Sequence, residues 1–165
     1  MEKVERIGLM VVSVILALVV AAPMAFAESQ GGAPEDASGT IVVNPGDYPG
    51  SCGFRFSLEL SGKGKMIELP SEGVILTSPG LDVTITNLDK PENQATFNIT
   101  GSVHQSTSEN GDVTTVLTGR NFAIDPEAGT TVVIGRFSFI FDAEGNLVQH
   151  QMGTGQRIDV CELLS

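Results

Sequence analysis

The chain has 165 residues, of which 41% are hydrophobic, and its 20 acidic and nine basic residues give a formal net charge of −11. A chain of this length forms one domain with its own core, which excludes a multidomain enzyme. An acidic surface repels phosphate backbones, so the composition argues against nucleic acid and anionic membranes as partners.

The N-terminal segment has the composition of an export signal. Two basic residues precede an apolar run over residues 7–22, and the small-x-small sequence Ala25-Phe26-Ala27 follows it. We predict cleavage after residue 27, which leaves 165 − 27 = 138 residues of a secreted, extracellular protein. A retained membrane anchor is the alternative, because the run is only slightly shorter than the roughly 18 apolar residues typical of a membrane span. After cleavage we expect no contact with a membrane.

The stretch after the cleavage site is poor in residues that form a core. Its sequence, ESQGGAPEDAS, has Gly, Pro, Ser and acidic residues but no large apolar side chain. Such a composition buries too little apolar surface to fold. We therefore predict a flexible leader over residues 28–44 and an all-β domain over residues 45–165.

Apolar and polar residues alternate along several segments of this domain. The alternation is clearest at residues 54–60, 81–86, 95–100 and 135–141. A period of two is the pattern of a strand with one buried and one solvated face. Turn sequences separate the segments, and Asn110-Gly111 predicts a hairpin between residues 103–108 and 113–118.

We therefore predict a single antiparallel all-β domain of about eight strands. Two architectures accommodate such a meander, a two-sheet β-sandwich and an up-and-down β-barrel. The alternation does not distinguish between them. We favour the sandwich because it is the commoner outcome for a chain of this kind.

The chain has two cysteines, Cys52 before the first clear strand and Cys161 after the last. An exported pair is normally oxidised, so we predict a disulfide bond between them. This bond ties the two ends of the domain together. A nucleophilic thiol is the less favoured alternative.

Two features suggest a metal site weakly. Residues 142–146, with the sequence DAEGN, place oxygen ligands at alternate positions, but a hairpin turn explains them equally well and the further ligands of a calcium loop are missing. His104 and His150 are candidates for a polar site, and a zinc site would add Asp112 or Glu109 to them. No short-spaced ligand pair supports zinc, so we predict no metal and no cofactor.

Three glycines precede an arginine directly or by one further residue, in the sequences Gly119-Arg120, Gly135-Arg136 and Gly155-Gln156-Arg157. If the three lie on neighbouring strands, Arg120, Arg136 and Arg157 gather into a cationic patch that suits a carboxylate ligand. The alternative is that each arginine pairs with an acidic residue across its strand. We favour this second interpretation.

Five blocks of sequence stand out between about Phe54 and Leu164: Gly101-Ser102-Val103-His104-Gln105, Asn110-Gly111-Asp112-Val113, Thr118-Gly119-Arg120-Asn121, Ile134-Gly135-Arg136-Phe137-Ser138-Phe139 and Ile158-Asp159-Val160-Cys161. On these blocks the chain resembles a group of small exported β-rich proteins found mainly in actinobacteria. That group has no assigned activity. The resemblance therefore implies bacterial secretion and adds no site residue.

The leading hypothesis is a secreted, disulfide-tied, non-catalytic binding or interaction module whose partner is a small molecule or an extracellular protein. We assign no catalytic residue, because no G-x-S-x-G sequence occurs and the absence of Trp disfavours a carbohydrate site. The alternative is an up-and-down barrel that binds an apolar small molecule, with Arg120 or Arg136 at its mouth. A weaker alternative is a barrel enzyme in which His104 and an acid act as general acid and base.

Overall fold

The computed structural model describes residues 32–70 and 73–165. The predicted signal at residues 1–27 and the start of the predicted leader lie outside the described residues. The described part contains eleven strands and one short helix, in the order β1 (Glu35–Asp36), β2 (Gly39–Val43), β3 (Phe56–Ser61), β4 (Lys63–Leu69), β5 (Gly73–Thr77), β6 (Asp82–Asn87), β7 (Gln94–Asn98), β8 (Ser102–Thr107), β9 (Val113–Asp125), β10 (Gly129–Phe141), β11 (Leu147–Asp159) and α1 (Val160–Leu163). Within these ranges, no helix is long and apolar enough to cross a bilayer.

The strands form two antiparallel sheets. One has seven strands in the order β1-β4-β5-β8-β9-β10-β11, and the other has four in the order β2-β3-β6-β7. The described strands do not close into a barrel, which confirms the predicted all-β sandwich and removes the fold required by both barrel hypotheses. The hairpin predicted around Asn110-Gly111 joins β8 to β9, where Thr107 pairs with Val113.

The ordered part of the domain begins before residue 45. Both β1 and β2 lie within the segment that we assigned to a flexible leader. Ile41 and Val43 of β2 are buried where they pair with Leu58 and Phe56 of β3. The all-β part of the structure therefore begins at Glu35 and not at residue 45. The short strand β2 is part of the core because its longer neighbour β3 covers it.

A first hydrophobic core lies between the four-stranded sheet and part of the seven-stranded one. Its members from β3 and β6 include four fully buried residues, Phe56, Leu58, Val83 and Ile85. The opposite side of this core comes from β9, β10, α1 and the residue that follows α1, through Phe122, Val132, Val160 and Leu164. The two sheets therefore pack face to face here, as a sandwich requires.

A second hydrophobic core lies on the other face of the seven-stranded sheet. Its largest members are Phe137, Phe139 and Phe141 of β10, which pack with Leu117 of β9. Val133 also belongs to this core, whereas its neighbour Val132 belongs to the first. The first half of β10 is therefore buried on both faces, as a strand in a middle layer is.

The long strands β9, β10 and β11 bend at a row of glycines. Gly135 pairs with Gly119 on one side and Gly155 on the other, and the φ angles of Gly135, Gly119 and Gly155 are +143°, +82° and +144°. A Cβ atom on Gly155 would lie 2.1 Å from the carbonyl oxygen of Ile134, and one on Gly135 would lie 2.3 Å from that of Thr154. Only glycine fits these positions. We call Gly119, Gly135 and Gly155 the glycine seam.

The bend brings the two ends of β10 together. Asp125 pairs with Gly129 at the start of β10, and Gln149 pairs with Ile140 near its end. In a straight strand these ends would lie about 36 Å apart. The side chain of Asp125 nevertheless accepts a hydrogen bond from the backbone of Gln151. The sheet therefore folds over on itself at the glycine seam and encloses the second core.

The predicted disulfide between Cys52 and Cys161 is present and anchors α1. It joins residues 109 positions apart, with 5.3 Å between the two Cα atoms. Asn87 adds a hydrogen bond from its side-chain amide to the carbonyl oxygen of Leu164, at 2.8 Å. The side-chain amide of Asn93 donates to the backbone oxygens of Leu164 and Ser165, at 3.3 and 3.1 Å. The C-terminus is therefore held by the disulfide and by three hydrogen bonds from asparagine side chains.

Candidate functional site

A buried carboxylate joins the two halves of the folded sheet. The side chain of Asp125, at the end of β9, is 0% exposed. Its Oδ1 accepts hydrogen bonds from the backbone N–H groups of Glu127 and Ala128, both at 2.8 Å. Its Oδ2 accepts a hydrogen bond from the backbone N–H of Gln151, at 2.9 Å. The first two bonds close the turn between β9 and β10, and the third crosses to β11.

These contacts keep Asp125 ionised in spite of its burial. Burial raises the pKa of the Asp125 carboxyl, whereas the N–H donors of Ala128, Gln151 and Glu127 and the contact with His150 lower it. The donors outweigh the burial, so the pKa lies below its ordinary value. A hydrogen-bonded carboxylate at this position stabilises the folded sheet.

His150 of β11 lies between two carboxylates. Its Nδ1 is 3.3 Å from Oδ1 of Asp125, and its Nε2 is 3.3 Å from Oε1 of Glu127. The imidazole side chain is 36% exposed and the Glu127 side chain is 72% exposed. Because the carboxylates contact opposite nitrogens of the ring, the three groups do not converge on a common point. In the described ranges, no group of three or more His, Cys, Asp and Glu residues is arranged to hold a metal ion.

Arg157 of β11 adds a further link across the seam. Its Nε donates a hydrogen bond to Oε1 of Gln151 at 2.6 Å, and its Nη2 donates to the backbone oxygen of the same residue at 3.1 Å. Its guanidinium carbon lies 4.5 Å from the centroid of the buried Phe137 ring. Gln151 and Arg157 lie on opposite sides of Gly155 in the sequence. We call Asp125, His150, Gln151 and Arg157 the clasp.

The three candidate arginines follow glycines that do lie on neighbouring strands. Their side chains nevertheless have different surroundings. Arg157 belongs to the clasp, Arg120 donates from Nη1 to the carbonyl oxygen of Asn98 at 3.5 Å, and Arg136 is exposed. Arg136 also faces away from its neighbour Phe137, on which Arg157 packs. Among the described residues, none of the three has a carboxylate oxygen within 4.0 Å.

The two histidines lie at different places in the seven-stranded sheet. His104 is exposed on β8, opposite Val116 of β9. Strands β9 and β10 separate it from β11, which carries His150. The structure therefore places His150 with the buried Asp125 rather than with His104.

The segment at residues 142–146 forms the turn between β10 and β11. Oδ1 of Asp142 accepts hydrogen bonds from the backbone N–H groups of Glu144 and Asn146, at 3.0 and 2.8 Å. Its Oδ2 accepts from the side-chain amide of Asn146, at 2.9 Å. Both oxygens thus accept bonds that stabilise the turn, which is the interpretation that we favoured over a calcium loop.

Strand β11 forms one edge of the seven-stranded sheet. Residues 152–157 are six consecutive exposed residues within this 13-residue strand, and the Met152 side chain is among the exposed large apolar ones. The opposite edge is the two-residue strand β1, which consists of Glu35 and Asp36. Short length and charge are features that prevent an edge from pairing with another chain. We call residues 152–157 of β11 the open edge; the side chain of its last residue, Arg157, also belongs to the clasp.

Sequence reasoning did not single out Asp125, Glu127, Gln151 or the open edge. The sequence around Asp125 is typical of a turn, and nothing local shows that its carboxylate is buried. One signal for the open edge exists: residues 145–158 contain no Asp or Glu in a chain with 20 of them.

The clasp and the open edge share strand β11 but differ in chemistry. The clasp side chains contact one another, whereas the open edge presents backbone N–H and C=O groups on the side away from β10. Comparison of the chain with protein-family models, curated proteins and solved structures finds no match. These two features of β11 are therefore the basis for a function.

Proposed function

We propose that this chain is an exported bacterial protein that acts as a non-catalytic binding module through the open edge of β11. One observation carries the proposal: six consecutive exposed residues lie on an edge strand with no neighbour on its outer side among the described strands. Such an edge pairs with an added strand through backbone hydrogen bonds. The partner in this proposal is an extended segment of protein.

The clasp supports binding at β11 because it holds this strand in place. Both ring nitrogens of His150 contact carboxylates, one of Asp125 and one of Glu127. The carboxylate of Asp125 accepts three backbone N–H groups. These contacts fix β11 in one conformation before it meets a partner, and a strand that is already ordered loses less entropy on binding.

Export is supported by two independent features. The first 27 residues have the composition of a cleaved signal. The disulfide between Cys52 and Cys161 is compatible with an oxidising compartment. The resemblance to exported actinobacterial proteins agrees with both.

Photo-crosslinking of the full chain in a producing bacterium tests this function. A photoreactive amino acid replaces Thr154 in the open edge, and in the control it replaces Thr40, which is exposed on β2 at an edge of the four-stranded sheet. We expect position 154, and not position 40, to give a discrete crosslinked product. We also expect the exported chain in this product to begin at Glu28, as cleavage after residue 27 requires. Equal products from both positions, or none from either, would show that the open edge is not a binding surface.

A further inference from the structure

We infer that the open edge of β11 pairs with the open edge of a second copy of this chain, antiparallel and centred on Thr154. This inference rests on the proposed function and names its partner. The glycine pattern of β11, the charge of the chain and the exposure of the edge carry it.

The glycine seam restricts which strands fit beside β11. Where β9, β10 and β11 cross the seam, each has a glycine, and Gly119, Gly135 and Gly155 lie opposite one another. A strand added outside β11 has to bend at the same line. It therefore needs a glycine there, since a Cβ atom at the seam meets the backbone of the neighbouring strand, as the 2.1 Å approach at Gly155 shows.

Strand β11 meets this requirement when it pairs with itself. Gly153 and Gly155 lie on either side of Thr154, and both have positive φ angles, +154° and +144°. In an antiparallel pair with Thr154 on the twofold axis, Gly153 of each copy lies opposite Gly155 of the other. Both bends then coincide, and the two Thr154 side chains face each other. Cross-strand threonine pairs are favourable.

The charge distribution favours contact at β11 over contact elsewhere. Each copy carries a net charge of −11, so most approaches of two copies are repulsive. Residues 145–158 have no carboxylate and include Arg157 and His150. In the register centred on Thr154, Arg157 lies opposite Gln151 of the second copy, and Met152 lies opposite Gln156. The pairing thus brings together two chain segments that contain no acidic residue, although the exposed Glu127 lies beside His150 at one end of each.

Analytical sedimentation of the exported mature chain over a range of protein concentrations tests the pairing. The measurement is repeated from about 0.05 to about 0.5 M salt, because this increase in salt shortens the Debye length roughly threefold. We expect a monomer–dimer equilibrium in which salt strengthens the dimer, because salt screens the repulsion between the two acidic copies. A dimer that weakens as salt rises would contradict the charge argument.

Matched variants locate the contact. T154E places two carboxylates opposite each other on the axis, so we expect the dissociation constant of the dimer to rise at least about tenfold. T40E adds the same charge at an exposed residue of β2 and should change the constant less than about twofold. Thermal unfolding of both variants confirms that they fold. Equal effects of T154E and T40E would overturn the inference.

A cysteine substitution provides a second readout that does not depend on T154E. Under mild oxidation, T154C should form a dimer linked through the two substituted positions, whereas T40C should remain monomeric. If the chain is monomeric under all conditions while crosslinking from position 154 captures another protein, the inference fails and the proposed function stands. If neither occurs, both fail.

Discussion

The Asp125 carboxylate accepts a hydrogen bond from the backbone N–H of Gln151, 2.9 Å away and 26 residues further along the chain. This contact exists only because β9, β10 and β11 bend at the glycine seam. It links the turn between β9 and β10 to the strand that we propose as the binding surface. One buried charge therefore stabilises β11 in addition to its pairing with β10.

Replacement of Asp125 should destabilise the fold. D125N keeps the shape of the side chain but removes its charge and sets an amide N–H against backbone donors. We expect the free energy of unfolding at pH 7 to fall by about 2–4 kcal/mol, the range for a disrupted buried polar network. Urea denaturation measures this change. D142N, in the exposed turn between β10 and β11, is the control and should cost less. Equal losses would mean that burial of Asp125 adds nothing to its role.

The same carboxylate should make stability depend on pH. The pKa of Asp125 is lower in the folded protein than its ordinary value of 3.8. Its stabilising contribution is therefore fully present above about pH 4 and is lost as the pH falls through the folded-state pKa. We expect the loss of stability below about pH 4 to be smaller in D125N than in the wild type.

Among the described residues, two other carboxyls also have lowered pKa values, and one of them provides the control. A hydrogen bond from Ser38 lowers the pKa of Asp36, and one from Asn146 lowers that of Asp142. D142N still has Asp125, so when its unfolding is measured at the same series of pH values it should keep the loss of stability below about pH 4 that Asp125 causes. If D125N and the wild type lose stability in parallel, the assignment to Asp125 is incorrect.

The glycine seam should tolerate no side chain. G155A and G135A bring a Cβ atom within 2.1 and 2.3 Å of carbonyl oxygens, so we expect losses of more than about 3 kcal/mol or a failure to fold. G145A is the control, because Gly145 also has a positive φ but a Cβ atom added there would have no other atom within 4 Å. G145A should lower the free energy of unfolding by only about 1–2 kcal/mol. Thermal denaturation compares the three, and similar losses would refute the close approach at the seam.

The Arg157 side chain should stabilise the fold through the planar shape of its guanidinium group as well as through its charge. R157K keeps the positive charge but loses the paired contact with Gln151 and the stacking of the planar guanidinium on Phe137. We expect a loss of about 1–3 kcal/mol in unfolding free energy. R136K, at an exposed position on β10, should stay within about 0.5 kcal/mol of the wild type. An R157K variant with the same unfolding free energy as the wild type would show that the Arg157 contacts do not stabilise the fold.

Loss of the disulfide should release the C-terminal helix and lower stability strongly. The bond closes a loop of 109 residues, for which chain entropy gives about 4–5 kcal/mol as an upper value. The double variant C52S/C161S should therefore unfold at much lower urea concentration than the wild type. The wild type with its disulfide reduced is the control and should behave like the variant. A variant as stable as the oxidised wild type would show that α1 is held by its noncovalent contacts alone.

Local patterns in the sequence were sufficient to predict the class of fold, the hairpin between β8 and β9, and the disulfide. Alternation with a period of two identified the strands, and Asn110-Gly111 identified the hairpin between β8 and β9, because strand faces and tight turns depend on neighbouring residues. The cysteine pair predicted the disulfide, because the chain has only two cysteines and each can bond only with the other. The short strand β2 was missed, because Ile41 and Val43 become buried only beside β3.

The tertiary structure alone decided the rest. Whether the meander forms two sheets or a barrel depends on which strands meet over long distances, and the alternation is the same in both. The sequence shows that Gly119, Gly135 and Gly155 exist, but only strand register places them in one row and turns three flexible positions into a bend. That bend brings Asp125 to Gln151 and leaves β11 at an edge. A buried charge and an edge strand both arise from contacts between residues far apart in the chain. No local pattern shows that Asp125 is buried, and the only local signal of the open edge is the absence of acidic residues over 145–158.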